Sequence, residues 1–338
     1  MTRIPTIAVR SASPAGDARQ GRPRRPGCAQ VLTDKARIPR PSFPVLRRTR
    51  VAGLLSQATK HRVTLVCGPA GSGKTIACAS WASNGQPRPA GRSGRVAWLT
   101  AEPGDQRDWF WAYLRASLSR LRAASAAEAF RDLEDVPAER FPLRLIEAAQ
   151  QLTEPIVLVI DDVHELTDPA VLSGLDLLVR HAPPTLRLVL SGRRHPPLQL
   201  ARLRVAGELA DIGGADLACT AEEAGAYFAM LGIDVAAGER DELLRRTEGW
   251  MAGLRLAAMR ASTVNGDGSR ITGLAGDEPD VTDYLWDEVL GEQQPDTLAF
   301  LLRTSIAAEV SGDLAYALTG EPGSARTLEQ LSRANSLV

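Results

Sequence analysis

Gly68-Pro69-Ala70-Gly71-Ser72-Gly73-Lys74-Thr75 is the stretch on which the fold turns. It fits G-x-x-x-x-G-K-[ST], a loop that wraps the phosphate tail of a nucleotide. The apolar run Val63-Thr64-Leu65-Val66-Cys67 in front of it reads as a buried strand, and residues 75–82 behind it read as a helix. That strand–loop–helix context is what the motif requires. Glycines at 68, 71 and 73 permit backbone conformations closed to residues with a Cβ, so successive N–H groups can converge on phosphate oxygens. The helix starting near Gly73 aims its unpaired N–H groups and positive dipole end at the same anion. Lys74 is expected to reach the β- and γ-phosphates and Thr75 to ligate Mg²⁺. The expected nucleotide-binding set runs from Gly68 through Ile76: Gly68, Pro69, Ala70, Gly71, Ser72, Gly73, Lys74, Thr75 and Ile76.

A second half of such a site stands downstream. Ile156-Val157-Leu158-Val159-Ile160-Asp161-Asp162 is an apolar strand ending in acids. Strand ends of this kind place carboxylates at the carboxyl edge of an open α/β sheet, where ligands bind. Asp161 is expected to hold Mg²⁺ with Thr75, and Asp162 to orient or activate an attacking water. Leu188-Val189-Leu190-Ser191-Gly192-Arg193-Arg194 brings arginine to the same edge. An arginine there can pair with γ-phosphate oxygens and register whether the nucleotide is a tri- or a diphosphate. Arg193 is favoured over Arg194 because it lies nearer the strand end. His164 reads as a packing residue rather than a ligand.

The 338 residues allow two or three domains, with 44% apolar and 24% charged side chains, ordinary for a globular protein. Net charge is zero, but residues 1–50 carry twelve basic side chains against Asp17 and Asp34. Lysine occurs only at 35, 60 and 74, the other basic residues being arginine, which reads as compositional bias. The cysteines, Cys28, Cys67, Cys78 and Cys219, lack C-x-x-C spacing and read as reduced core residues of a cytoplasmic protein. No run approaches eighteen consecutive apolar residues, and the basic N-terminus lacks the apolar core of a secretory signal, so no membrane partner is expected. No asparagine begins an N-K-x-D guanine-reading motif, and no L-S-G-G-Q signature of transporter ATPases is present.

Strands are expected at 64–67, 96–100, 156–160, 187–191 and 208–212, alternating with helices at 48–60, 74–82, 107–122, 143–152 and 168–181. Those at 64–67, 156–160 and 187–191 are nearly all apolar, as in a parallel sheet covered on both faces. The segment 84–94, rich in Gly, Pro and Arg, is expected to be a mobile loop. Beyond about 218 only helices are expected, at 221–231, 238–246, 251–261, 281–290, 297–305, 313–318 and 325–334, with a Gly/Asp-rich linker over 262–279. Thr220 with Glu222 and Glu223 marks a helix start.

The order of GPAGSGKT, VAWLTAEPGDQRDWFWAYL at 96–114, IVLVIDDVHEL at 156–166, LVLSGRRHPPLQLARLRVAGEL at 188–209 and RTEGWMAGLRLAA at 246–258 resembles a known family. It is similar to the N-terminal nucleotide-binding module of MalT-like, large LuxR-type transcriptional activators, of the STAND class of signalling ATPases. The resemblance runs from about Ile38 to the C-terminus. It implies an α/β P-loop NTPase fold with a mostly parallel five-stranded sheet of order 5-1-4-3-2, a helical lid and a partial winged-helix-like domain. Composition, rich in Pro, Gly, Arg and Ser without periodicity, puts a disordered basic tail over 1–36, and the division expected beyond it is a nucleotide-binding domain over 37–218, a lid over 219–262, and linker plus partial winged helix over 263–338. The resemblance also places Arg193 at the family's sensor arginine. It implies an ADP-held closed monomer, ATP-promoted self-association and slow Mg²⁺-dependent hydrolysis that resets the switch. Related proteins carry Gly-x-Pro in the lid; here Gly249-Trp250-Met251 has Met in place of Pro. DNA would be a partner only through a C-terminal helix-turn-helix, which these residues do not contain. Two other readings stand beside the switch: a stand-alone AAA+-like ATPase acting on a macromolecular partner, and a nucleotide-dependent scaffold without turnover.

Overall fold

The structure is a computed structural model that describes residues 34–84, 95–263, 282–284, 286–290, 293–307 and 309–333. Residues 1–33 of the expected tail over 1–36, residues 85–94 of the expected loop over 84–94 and residues 264–279 of the expected linker over 262–279 lie outside the described residues.

Five short strands build one sheet: β1 (Val63–Cys67), β2 (Val96–Thr100), β3 (Ile156–Asp161), β4 (Leu186–Gly192) and β5 (Leu209–Ile212). Their order is β2-β3-β4-β1-β5 and every pairing is parallel. All residues of β1 and β3 are buried, which is why these strands carry no polar alternation. Helices α1 (Thr49–Ala58), α2 (Lys74–Asn84), α3 (Arg107–Leu118), α4 (Ala124–Ala129), α5 (Phe141–Gln150) and α6 (Pro169–His181) accompany the sheet. One core joins Val51 and Leu55 of α1 with Cys78 and Trp81 of α2, Val66 of β1 and Val189 of β4. Asp168 caps α6 by accepting from the N–H of Ala170 at 2.8 Å, and its other oxygen takes the Arg107 N–H at 2.9 Å. One carboxylate thereby serves the starts of α3 and α6, whose first N–H groups have no partner inside their own helices.

The register fixes what meets at the carboxyl edge. Cys67 stands opposite Gly192, Val66 opposite Ser191, and Ile160 opposite Leu190. The ends of β3, β4 and β1 are therefore neighbours, and the chain leaves them as Asp161-Asp162, Gly192-Arg193 and Gly68-Pro69.

The short helices α7 (Ala201–Val205) and α8 (Gly214–Leu217) flank β5 in sequence, and α9 (Ala221–Met230), α10 (Ala237–Thr247) and α11 (Met251–Thr263) follow. These last three share their own core around Ala224, Phe228, Leu243, Leu254 and Ala257. Thr220 and Glu223 form a reciprocal cap at the start of α9, the helix start expected from sequence. Between α10 and α11 the chain reverses through Glu248 (φ 51°) and Gly249 (φ 74°). A Cβ at Gly249 would stand 2.7 Å from both N and O of Cys219, so only glycine fits that crossing. A π-helical turn at Trp286–Leu290 precedes α12 (Pro295–Thr304), α13 (Gly312–Thr319) and α14 (Ser324–Arg333), packed around Phe300, Ala315 and Leu331.

One expectation is corrected here. Composition put Lys35 and Ala36 in the disordered tail, yet both are buried. Lys35 Nζ pairs with Asp105 at 2.7 Å and Glu102 at 2.9 Å, and lies over the Tyr113 ring. Its carbonyl accepts the N–H of Thr100 on the outer side of β2. Three helices not expected from sequence, α4, α7 and α8, are each six residues or fewer. Helices of that length have no stability of their own and form only where tertiary contacts hold them.

Candidate nucleotide site

The glycine-rich loop joins β1 to α2. Gly71 (φ 71°) and Gly73 (φ 87°) take left-handed conformations that a side chain would oppose. Lys74 is buried, and its ammonium donates to the carbonyls of Gly68 at 2.8 Å and Pro69 at 2.9 Å. Burial pulls its pKa down, while Asp162 and Asp161 push it back up.

Asp161 is fully buried at the end of β3. Burial raises its pKa, against the hydroxyls of Ser191 and Thr75 and the charge of Lys74. Those hydroxyls lie close, yet neither carboxylate oxygen has a partner in hydrogen-bonding geometry. A buried carboxylate without donors is costly, and a cation is what such a group fits. The oxygen donors Asp161 and Thr75 suit a hard divalent ion such as Mg²⁺. Asp162 follows in the left-handed region (φ 54°), which turns the chain sharply at the strand end. Burial and the neighbouring Asp161 charge push its pKa up to about 6. His164 is pushed down to about 4 by burial and by Arg193 and Lys74, so it is neutral at physiological pH. Its ring nitrogens lie 3.8 Å from Asp162 Oδ1 and 3.1 Å from Glu165 Oε1, without hydrogen-bond alignment.

The sequence-expected residues therefore converge, with the phosphate loop, Lys74, Asp161 and Asp162 at one sheet edge. Arg193 is half-buried and donates to Glu288, through Nη2 to Oε2 at 2.7 Å and through Nη1 to the carbonyl. Arg194 is exposed.

Several residues at the site were not foreseen. The Trp250 indole N–H donates to Ala70 O at 2.8 Å, and the Ala252 N–H donates to Gly71 O at 3.0 Å. The start of α11 is thus bonded directly to the phosphate loop. Tyr284 packs edge-on against Trp250 with ring centroids 5.6 Å apart. A cavity of about 250 Å³ opens beside the loop, lined by Phe43 to Leu46, Val51, Ile76, Tyr227, Met251, Arg255 and Tyr284. Met251 fills the lid position where Gly-x-Pro was sought, and its Cγ would lie 3.5 Å from a Cβ at Gly73. The Arg255 guanidinium lies 3.5 Å from the Phe43 ring centroid and ties the lead-in segment to α11. Arg48, also buried, donates to the carbonyls of Leu217 and Ala218 at 2.8 Å and pairs with Glu223 at 2.7 Å. The only signal for these contacts was the TEGW segment, which named Trp250 but not its acceptor.

Residues 46–191 match the AAA ATPase domain family, and residues 286–338 match the MalT winged helix domain. The chain thus carries, in order, a match to an AAA ATPase domain and a match to a MalT winged helix domain. It is 32% identical over 300 residues to the HTH-type transcriptional regulator MalT of Yersinia enterocolitica, and 33% identical over 300 residues to that of Serratia proteamaculans. Each match takes in 85% of this chain but only 32% of the relative, so the chain spans about a third of the length of these MalT proteins. In fold it is similar to a Walker-type ATPase of Pyrococcus abyssi, with a TM-score of 0.60 at 17% identity over 87% of this chain and 91% of that one. The five-stranded parallel sheet of order 5-1-4-3-2 and the C-terminal helices agree with the resemblance drawn from sequence. Among the described residues, no helix is long and apolar enough to cross a membrane.

Proposed function

We propose that this MalT-like chain is an ATP/ADP-binding regulatory switch of a LuxR-type transcriptional activator, with slow hydrolysis of ATP to ADP resetting the active state. The observation that carries the reading is the fully buried Asp161 carboxylate, without a hydrogen-bond partner, beside a buried Lys74 on a glycine-rich loop. An apolar core would not retain that pair for stability alone.

Each residue takes a role from its surroundings. The loop N–H groups from Gly71 to Thr75 and the Lys74 ammonium would hold the phosphates. Thr75 and Asp161 would hold Mg²⁺, which supplies neutralisation of phosphate charge when bound. Asp162, with its pKa near 6, is mostly ionised at pH 7 and basic enough to orient a water and accept its proton. His164 stays neutral beside it and adds no competing charge. Arg193 is the candidate to sense the terminal phosphate. The cavity beside Ile76 and Met251 is of a kind to take an apolar base face. Signal transduction in the cytoplasm and self-association in the ATP state belong to the same proposal, as does a closed state that retains ADP.

Titration calorimetry of Lys74→Ala with ATP and Mg²⁺ tests the site. The expected result is a loss of ATP affinity of at least about 100-fold, on the scale of about 3 kcal/mol for an unmade charged contact, with the circular dichroism spectrum unchanged. Unchanged ATP affinity in a folded variant overturns the assignment. Denaturing the purified chain and identifying the released nucleotide separates the switch from an ordinary turnover enzyme: retained ADP supports the former, an empty site that hydrolyses ATP rapidly the latter.

A further inference from the structure

The segment 282–290 reaches the site at two points. Tyr284 lies against Trp250 and the phosphate loop; a Cβ at Gly71 would be 2.8 Å from its hydroxyl oxygen. One turn later, Glu288 takes the Arg193 fork with a side-chain oxygen and its own carbonyl. Asp283 and Asp287 on the same segment are exposed, so Glu288 is the acid that meets the site. The Arg193 charge is felt at Lys74, Asp162 and His164, which puts it on the phosphate side of the sheet edge.

A guanidinium binds a carboxylate and a phosphate through the same planar pair of N–H groups. Both terminal nitrogens of Arg193 are already engaged with Glu288. We infer that Glu288 sets the preference between di- and triphosphate, by competing with the terminal phosphate of a nucleoside triphosphate for Arg193. A diphosphate leaves the pair intact. A triphosphate that engages Arg193 must displace Glu288, and with it the turn that opens the winged-helix module. The inference rests on the reading of this site as a nucleotide site with Arg193 facing the terminal phosphate. It adds a specificity residue from outside the ATPase domain.

The pair is partly exposed, with 24% of the Arg193 and 43% of the Glu288 side chain accessible. Its loss therefore costs little stability, and Glu288→Gln should remain folded. The test measures affinities for ADP and for a non-hydrolysable ATP analogue, with Mg²⁺, in the full chain, in Glu288→Gln, in Arg193→Ala and in the double variant. Glu288→Gln should bind the analogue about three- to fivefold more tightly, the upper part of the range for removing a competing, partly exposed ion pair. ADP affinity should change less than about twofold on the same scale. In the Arg193→Ala background, Glu288→Gln should have no effect. Amide exchange over 282–290 in the unmodified chain gives an independent readout: the analogue should raise it and ADP should not. If both nucleotides bind but Glu288→Gln leaves their ratio unchanged, Glu288 is not the competitor and the inference falls alone. If neither nucleotide binds the unmodified chain, the site reading falls and takes the inference with it.

Discussion

Replacing Asp161 by asparagine should make the nucleotide-free protein more stable while removing the group that would hold Mg²⁺. Asp161 is fully buried, and neither of its oxygens has a hydrogen-bond partner. Two effects oppose each other. Lys74 and the nearby hydroxyls favour the charged form, while burial disfavours it; burial wins, because the net pKa is raised. The neutral isostere is therefore the better tenant. Leaving a buried polar group unpaired costs about 1–3 kcal/mol, and more for a charge, so a gain of about 2 kcal/mol is expected at pH 7. Lys74 keeps its two carbonyl acceptors and the Asp162 charge, so it is not orphaned by the change. The sign with pH follows from linkage. Below the unfolded carboxylate pKa, near 4, both states hold the proton and the two proteins should be equal. As pH rises, the unfolded chain releases its proton first, the native state of the unmodified protein loses ground, and the gap opens. Urea unfolding with EDTA and no nucleotide, at about pH 4 and at pH 7, measures this. Equal or lower stability of the Asp161→Asn variant at pH 7 would refute the claim that the carboxylate is uncompensated. Adding Mg²⁺ and ATP should then stabilise the unmodified chain more than the variant.

Two further substitutions test the lid contacts. Gly71→Ala should destabilise by about 3–4 kcal/mol: about 1–2 for the left-handed backbone and about 1 for each of the two hydrogen bonds lost when α11 is pushed away. The new methyl would sit 2.5 Å from the Ala252 Cβ, and a loss under about 1 kcal/mol in denaturant unfolding would show that the lid yields freely. Arg48→Ala removes the donor to two carbonyls and leaves Glu223 with Arg50 at 3.3 Å and its cap to Thr220. Breaking a buried pair from one side costs about 3–5 kcal/mol, so faster amide exchange around 217–224 and a lower melting temperature should be seen together; unaltered exchange there would show that the connection between α8 and α9 is held elsewhere.

The sheet was legible because a parallel strand covered on both faces is apolar along most of its length, and β1, β3 and β4 are, apart from Thr64, Asp161, Arg187 and Ser191. The phosphate loop was legible because its glycines answer a backbone demand that few sequences meet by accident. Asp161 and Asp162 followed from their place after β3, where the parallel register brings strand ends together. Local sequence does not encode what Arg193 touches: Glu288 lies 95 residues on, in a turn that periodicity describes only as helical. The Trp250 contact with Ala70 spans 180 residues, and Arg48 with Glu223 spans 175. Lys35 was misread for the same reason. It sits between Asp34 and Arg37 at the end of a Pro- and Arg-rich stretch, and its partners Glu102, Asp105 and Tyr113 lie far along the chain, Asp105 being 70 residues away.

The contact of Lys35 with β2 bears on solubility. An open sheet ends in a strand with unpaired N–H and C=O groups, where another chain can add and start aggregation. On β2 that outer side includes Thr100, and its N–H is already taken by the Lys35 carbonyl. The same residue brings a buried ammonium fixed by Asp105 and Glu102, which a docking strand would have to uproot. The residues ahead of α1 thus cover the outer edge of the sheet at the end of β2, at one N–H where a neighbour's strand could otherwise add.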